Sequence, residues 1–134
     1  MGKNETEFSR WFEQAKDDLE AARASRRAGH YEWTCFQAQQ SAEKALKAFL
    51  LLQGKRQFLS HSIKELLREA VEVESRLVDV GRARRLDEYY IPTRYPNGLP
   101  GTTRPHEFYD DEEALECLQL AELVLDAISR TRPS

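Results

Sequence analysis

The sequence has no apolar run able to cross a bilayer. Its most apolar stretch, FLLLQG at Phe49–Gly54, falls far short of the roughly 20 residues a spanning helix needs. The opening MGKNETEFSRWF is polar and lacks the apolar centre of a secretory signal. Gly2 is placed as a myristoylated residue would be, but Lys3 to Glu7 give that motif little support. The chain is therefore expected in the cytoplasm. Cysteine is scarce, with two residues, Cys35 and Cys117. Both fall on apolar stripes of expected helices and are expected as buried free thiols. Together with His30, His61 and His106 they show no metal-ligand spacing, so no metal is expected. Nor is there a Gly-rich phosphate loop or a legible Ser/His/Asp or Cys/His arrangement, and no cofactor is expected. Charge of one sign is also lacking. With 20 Lys+Arg against 23 Asp+Glu, net charge is −3. Any site for a polyanion must be a local basic patch.

What is present is helical periodicity. The 134 residues fit one domain, 1–134. Phe8, Trp11, Phe12, Ala15, Leu19 and Ala22 recur at helical spacing and predict a helix from Thr6 to Ala28, capped by Asn4 or Thr6 and ended by Gly29. A second helix is expected over His30–Gln53, with Cys35, Ala38, Ala42, Ala45, Leu46, Phe49 and Leu52 inward and Gly54 beyond its end. The small Ala residues predict a close antiparallel hairpin of the two. Ser60 or Ser62 caps a short third helix carrying Ile63, Leu66, Leu67 and Ala70. A fourth is expected over Glu74–Tyr90, with Leu77, Val80, Ala83, Leu86 and Tyr90 inward, weakened at Gly81 and stopped by Pro92. The last runs Asp110–Arg130 with Leu115, Leu118, Ala121, Leu125 and Ile128 as its stripe. The expected fold is all-α: an antiparallel up-and-down bundle of four long helices plus a short one. An irregular insert precedes the last helix.

That insert interrupts the pattern. Between Leu86 and Asp111 lie four of the five Tyr and four of the five Pro. The basic run Arg82, Arg84, Arg85 leads into it, and Arg94 and Arg104 follow. Arg with Tyr suits phosphate and base, since a guanidinium fork takes phosphate and a ring stacks on a base. The alternative is that these Arg balance the acidic start of the last helix. The second helix carries a second stripe opposite its core face: Trp33, Phe36, Gln40, Glu43, Lys44 and Lys47. Glu43 and Lys47 can pair at i,i+4. Trp33 and Phe36 call for cover, by another bundle helix or by a second subunit.

Three motifs in order resemble HEPN-domain proteins. They are Phe36-Gln37-Ala38-Gln39-Gln40-Ser41-Ala42-Glu43-Lys44-Ala45-Leu46-Lys47-Ala48; His61 followed by Ile63 and Leu66-Leu67; and Tyr89-Tyr90-Ile91-Pro92-Thr93-Arg94-Tyr95-Pro96. The resemblance covers about Phe8 to Ile128. It implies a helical bundle, usually a homodimer and often encoded beside a small nucleotidyltransferase. Members bind nucleotides or RNA or serve that enzyme as substrate-binding partner. Some are ribonuclease toxins with the nucleotidyltransferase as antitoxin. The ribonucleases carry an Arg, a polar residue and then a His a few positions on. Here Arg94 matches the Arg, but Tyr95 follows it, and Leu99, Pro100 and Gly101 hold the positions allowed to the His. The nearest downstream His is His106.

The expected function is therefore nucleotide or RNA binding by a non-catalytic partner of a nucleotidyltransferase, as a substrate-binding subunit or a toxin–antitoxin component. Arg85 and Arg94 would hold phosphate, with Lys44 or Lys47 adding charge. Tyr90 and Tyr95 would stack on a base, and Gln40 would bond a base edge. This grouping requires the insert to fold back over the second helix. One alternative is a metal-independent ribonuclease using Arg94 with His106, or with a His from a second subunit. Another is a purely structural dimerisation or interaction module.

Overall fold

Small side chains set the first interface of the fold. Ala15, Ala22, Ala38, Ala42 and Ala45 are completely buried, which lets α1 (Lys3–Arg27) and α2 (Tyr31–Leu52) approach closely. The approach is near enough for the Ser41 hydroxyl to donate to the Ala15 carbonyl at 2.6 Å. The contacts Asn4–Leu52, Ala15–Ser41 and Ser25–Gln37 run in opposite senses along the two helices, as an antiparallel hairpin requires. Gly29 (φ 81°) and Gly54 (φ 99°) hold the left-handed conformations after α1 and α2 that other residues resist. The computed structural model describes residues 2–58 and 60–132.

The start of α1 departs from expectation. Neither Asn4 nor Thr6 caps it: Gly2 occupies the cap position without a side-chain bond. Asn4 instead lies inside the helix, donating to the Leu52 carbonyl at 3.3 Å and accepting from Arg56. It ties the start of α1 to the end of α2.

α3 (Ile63–Val73) buries Ile63, Leu66, Leu67 and Ala70 as expected, with the Ser62 hydroxyl accepting from the Glu65 amide. The next element, Ser75–Tyr89, is not the expected α-helix. It is two runs of 3-10 helix meeting at Val80 (φ −105°, ψ 18°), beside Gly81. The reason is visible in the spacing. Its buried residues are Leu77, Val80, Ala83 and Leu86, a strict repeat of three. Three residues per turn keep that repeat on one face, whereas at 3.6 per turn it would drift around the helix. The same geometry turns Tyr89, not Tyr90, toward the core, where Tyr89 packs among the partly buried residues.

The insert contains a 3-10 turn at Pro96–Gly98 and one α-helical turn, α4 (Pro105–Phe108), seated by the buried Pro105. α5 (Asp111–Arg130) follows, with Asp110 accepting at its N-terminus from the Glu113 amide at 2.8 Å. Leu115 leaves the expected stripe and is exposed. Ala114, Cys117, Leu118, Ala121, Val124, Leu125 and Ile128 form the buried face. Arg26–Asp111, Arg23–Glu122 and Arg132–Glu5 pair α5 with α1 in opposite senses. The long elements thus alternate in direction, and the short α3 lies beside α2 and the 3-10 segment. Cys35 and Cys117 are buried and unbridged. Their mutual hydrogen bond, with burial, pushes the Cys117 thiol well above its ordinary value. No helix among the described residues is long and apolar enough to cross a membrane.

Candidate functional site

The insert covers the second stripe of α2 at Phe36. Arg94 follows the stop at Pro92 and its guanidinium carbon lies 4.5 Å from the Phe36 ring centre, 4.8 Å from Tyr90 and 5.3 Å from Tyr95. Its Nε donates to the Tyr90 carbonyl at 2.9 Å, which fixes the plane of the fork. Among the described residues no carboxylate pairs with it. The fork is held by three π faces, each attracting the cation through its quadrupole. Below it the buried Thr93 hydroxyl donates to the Tyr89 carbonyl at 2.6 Å and closes the turn.

Two turns beyond Phe36 along α2 lies an ion pair. Lys47 Nζ is 2.7 Å from Glu43 Oε2, and each residue is only 5 % exposed. The pairing was legible; its burial was not, because Trp11 of α1 and the loop before α3 that lie against it come from elsewhere in the chain. Lys47 also lies 5.5 Å from the Phe58 ring and 5.9 Å from that of Trp11. The same Glu43 oxygen faces His61 Nδ1 at 2.9 Å. A carboxylate only accepts, so the contact is a hydrogen bond when Nδ1 carries a proton; Lys47 Nζ lies 3.4 Å from the same nitrogen. The His61 side chain is 63 % exposed, and its ring stacks on Tyr90 at 5.9 Å and 13°.

Two groups hold His61 there. The buried Gln39 amide bridges from the His61 carbonyl to Glu43, at 3.3 Å each. The Asp87 carboxylate takes the Ser62 hydroxyl at 2.9 Å and the Ile63 and Lys64 amides at 2.7 and 3.1 Å. It caps α3 from the end of the 3-10 segment. Gln40 donates to Gln39 at 2.8 Å and to Glu43 at 3.4 Å, so its amide supports this network.

The structure thus brings Tyr90, Arg94 and Tyr95 together, with Tyr95 half exposed at the rim, and connects Gln40 and Lys47 to them only through Glu43 and His61. It engages two expected members elsewhere. Lys44 pairs with Asp18 of α1. Arg85 pairs with Glu116 of α5 at 3.0 Å, on the face where Tyr89 meets Glu113 at 3.4 Å. There burial pushes the Tyr89 phenol up, and burial with the nearby Asp110 pushes the Glu113 carboxyl up. For Arg85 the reading as a counter-charge to the acidic helix start describes the geometry. His106 is also elsewhere. Its Nδ1 is 2.9 Å from Glu32 Oε2, and its ring is 5.6 Å from that of His30. His61 was the residue that reading by spacing passed over. Its signal was chemical: the one His placed between Glu43 of one motif and Tyr90 of another.

An all-helical bundle with an Arg- and Tyr-bearing insert folded onto its second helix is the class of protein this geometry defines. The chain belongs to the HEPN domain family, whose model matches residues 8–131. It is 32 % identical over 126 residues to a Methanocaldococcus jannaschii protein named "Putative toxin MJ1304", covering 88 % of this chain and 83 % of that one. Two crystal structures resemble it closely. TT1696 from Thermus thermophilus aligns with TM-score 0.83 and 40 % identity over 93 % of this chain and 98 % of that one. ST0689, described as an archaeal HEPN homologue, aligns with TM-score 0.76 and 35 % identity over 92 % and 96 %.

Proposed function

We propose that the chain binds a nucleotide or single-stranded RNA at the Arg94 cluster. In this reading it acts as the non-catalytic partner of a small nucleotidyltransferase, in a toxin–antitoxin-type pair. The observation that supports it is the bracketing of Arg94 by Phe36, Tyr90 and Tyr95 with no carboxylate partner among the described residues. A fork held by rings rather than acids keeps its charge available to phosphate, and Tyr95 at the rim offers a stacking face. Lys47 contributes little free charge, because Glu43 already answers it. Lys44 and Arg85 stand outside this set. The toxin name of the M. jannaschii relative fits the pairing. Trp33, 44 % exposed at the other end of the stripe, gives a homodimer an apolar contact. The test is equilibrium binding of a labelled oligoribonucleotide across a salt series, with the nucleotidyltransferase added in a second arm. Saturable, salt-sensitive binding supports the reading, and co-elution with the enzyme supports the partnership. No binding in either arm removes the reading.

A second reading, metal-independent RNA cleavage, is favoured by one observation. In this reading His61, whose Nδ1 faces a buried carboxylate, takes the part expected of His106 and meets Arg94 through the Tyr90 ring. Such an imidazole can take a proton from a ribose 2′-hydroxyl while a guanidinium holds the phosphate. Cleavage of RNA in the presence of chelator, lost in His61→Ala, would favour this reading; intact RNA would dismiss it.

A further inference from the structure

We propose that His30, Glu32 and His106 form a site for one divalent transition-metal ion of the zinc class, which staples the insert to the start of α2. The three residues offer ligand atoms that all lie within 4.8 Å of one another. In a tetrahedral shell with metal–ligand bonds near 2.1 Å, ligand atoms sit about 3.4 Å apart. Both imidazoles are exposed, so modest side-chain rotation closes the difference. The rings are already disposed for it. Their centroids are 5.6 Å apart at an interplanar angle of 46°, too tilted for stacking. Two imidazoles on one tetrahedral ion have centroids about 5 Å apart.

The local backbone explains how the three meet. Gly29, at φ 81°, turns the chain so that His30 leads directly onto α2 and Glu32 sits in its first turn. Buried Pro105 seats α4 and sets His106 beside them. No spacing along the chain announces this set, since the insert supplies the second imidazole.

Charge separates this cluster from the other His–carboxylate pair. Glu43 is buried but neutralised by Lys47 at 2.7 Å. Glu32 is just as buried, at 6 % exposed, yet among the described residues no Lys or Arg pairs with it. Among the described residues its hydrogen bond is to His106, with Nδ1 at 2.9 and 3.3 Å from its two oxygens. The positive end of α2 eases the burial, but a buried carboxylate beside two imidazoles is a ligand set for a cation. Two imidazoles and a carboxylate suit Zn²⁺ and leave a fourth position for water. The bound ion would fix α4 against α2, and with it the far end of the insert that carries Arg94 and Tyr95.

The test uses the full chain, stripped with chelator and titrated with Co²⁺ followed by visible absorption, then with Zn²⁺ in competition. One Co²⁺ per chain is expected, displaced by Zn²⁺. His30→Ala, His106→Ala and Glu32→Gln are each expected to weaken binding at least tenfold while circular dichroism stays unchanged. Glu32→Gln keeps the side-chain shape and so separates lost ligation from lost folding. Absence of saturable binding would overturn the proposal, as would variants that bind as tightly as the unaltered chain. So would a melting temperature lowered by His106→Ala but indifferent to Zn²⁺, which would mark a hydrogen bond only.

Discussion

Glu43 Oε2 is shared: Lys47 Nζ reaches it at 2.7 Å from one turn along the same helix, and His61 Nδ1 at 2.9 Å from the loop before α3. A surface i,i+4 pair has become the buried junction between α2 and the rest of the site. Removing one member of such a pair leaves an uncompensated charge. Glu43→Gln or Lys47→Met alone is expected to cost about 3–5 kcal/mol, and the double replacement less than either. Urea denaturation of the three variants measures this. Additive losses would show that the two charges do not compensate each other.

Asp87 acts at a distance from any ligand. Its carboxylate binds the Ser62 hydroxyl and two amides at the start of α3. Asp87→Ala is expected to destabilise the chain by about 0.5–2 kcal/mol, the usual loss for a helix cap. It should also release His61 from Tyr90. The imidazole resonances of His61 should move in NMR spectra while those of His30 and His106 stay in place.

Arg85 separates what sequence and structure each suggest. It pairs with Glu116, and both side chains are largely exposed. Arg85→Ala is expected to leave oligoribonucleotide affinity unchanged and to alter stability by less than about 1 kcal/mol. A large loss of affinity would restore Arg85 to the site and require the pair with Glu116 to open.

Tyr109 sets an alkaline limit. Burial pushes its phenol from an ordinary 10.0 up to about 12. Because the folded-state value is raised, the protonated form favours folding. The stability this contributes is fully present below pH 10 and is lost as pH rises toward 12. Tyr109→Phe should flatten the stability profile in that window, as read by thermal melts from neutral to alkaline pH. Tyr89 shifts in the same direction, also through burial.

The helices were legible because their apolar residues recur at regular intervals and their ends carry chemical stops. Gly29, Gly54, Ser62 and Asp110 each fall where a terminus does. The 3-10 segment reads as an α-helix in sequence although its spacing of three is on display at Leu77, Val80, Ala83 and Leu86. The site was half legible. Arg94, Tyr90 and the α2 stripe pointed to one another by residue type. Lys44 and Arg85 share that chemistry, but Asp18 and Glu116 occupy them, and those partners come from α1 and α5. His61 and the His30–Glu32–His106 cluster depend on loops meeting helices in space, which periodicity does not encode.

Arg94 carries the account's central claim, that a guanidinium held by three rings receives phosphate. The most direct measurement compares labelled oligoribonucleotide affinity of the unaltered chain with Arg94→Ala and Arg94→Lys at fixed, low salt. Arg94→Ala is expected to bind at least about tenfold more weakly, about 1.4 kcal/mol. Arg94→Lys should fall between, since it keeps charge but loses the planar fork. Thermal melts should stay close to that of the unaltered chain. Equal affinity across the three folded proteins would contradict it.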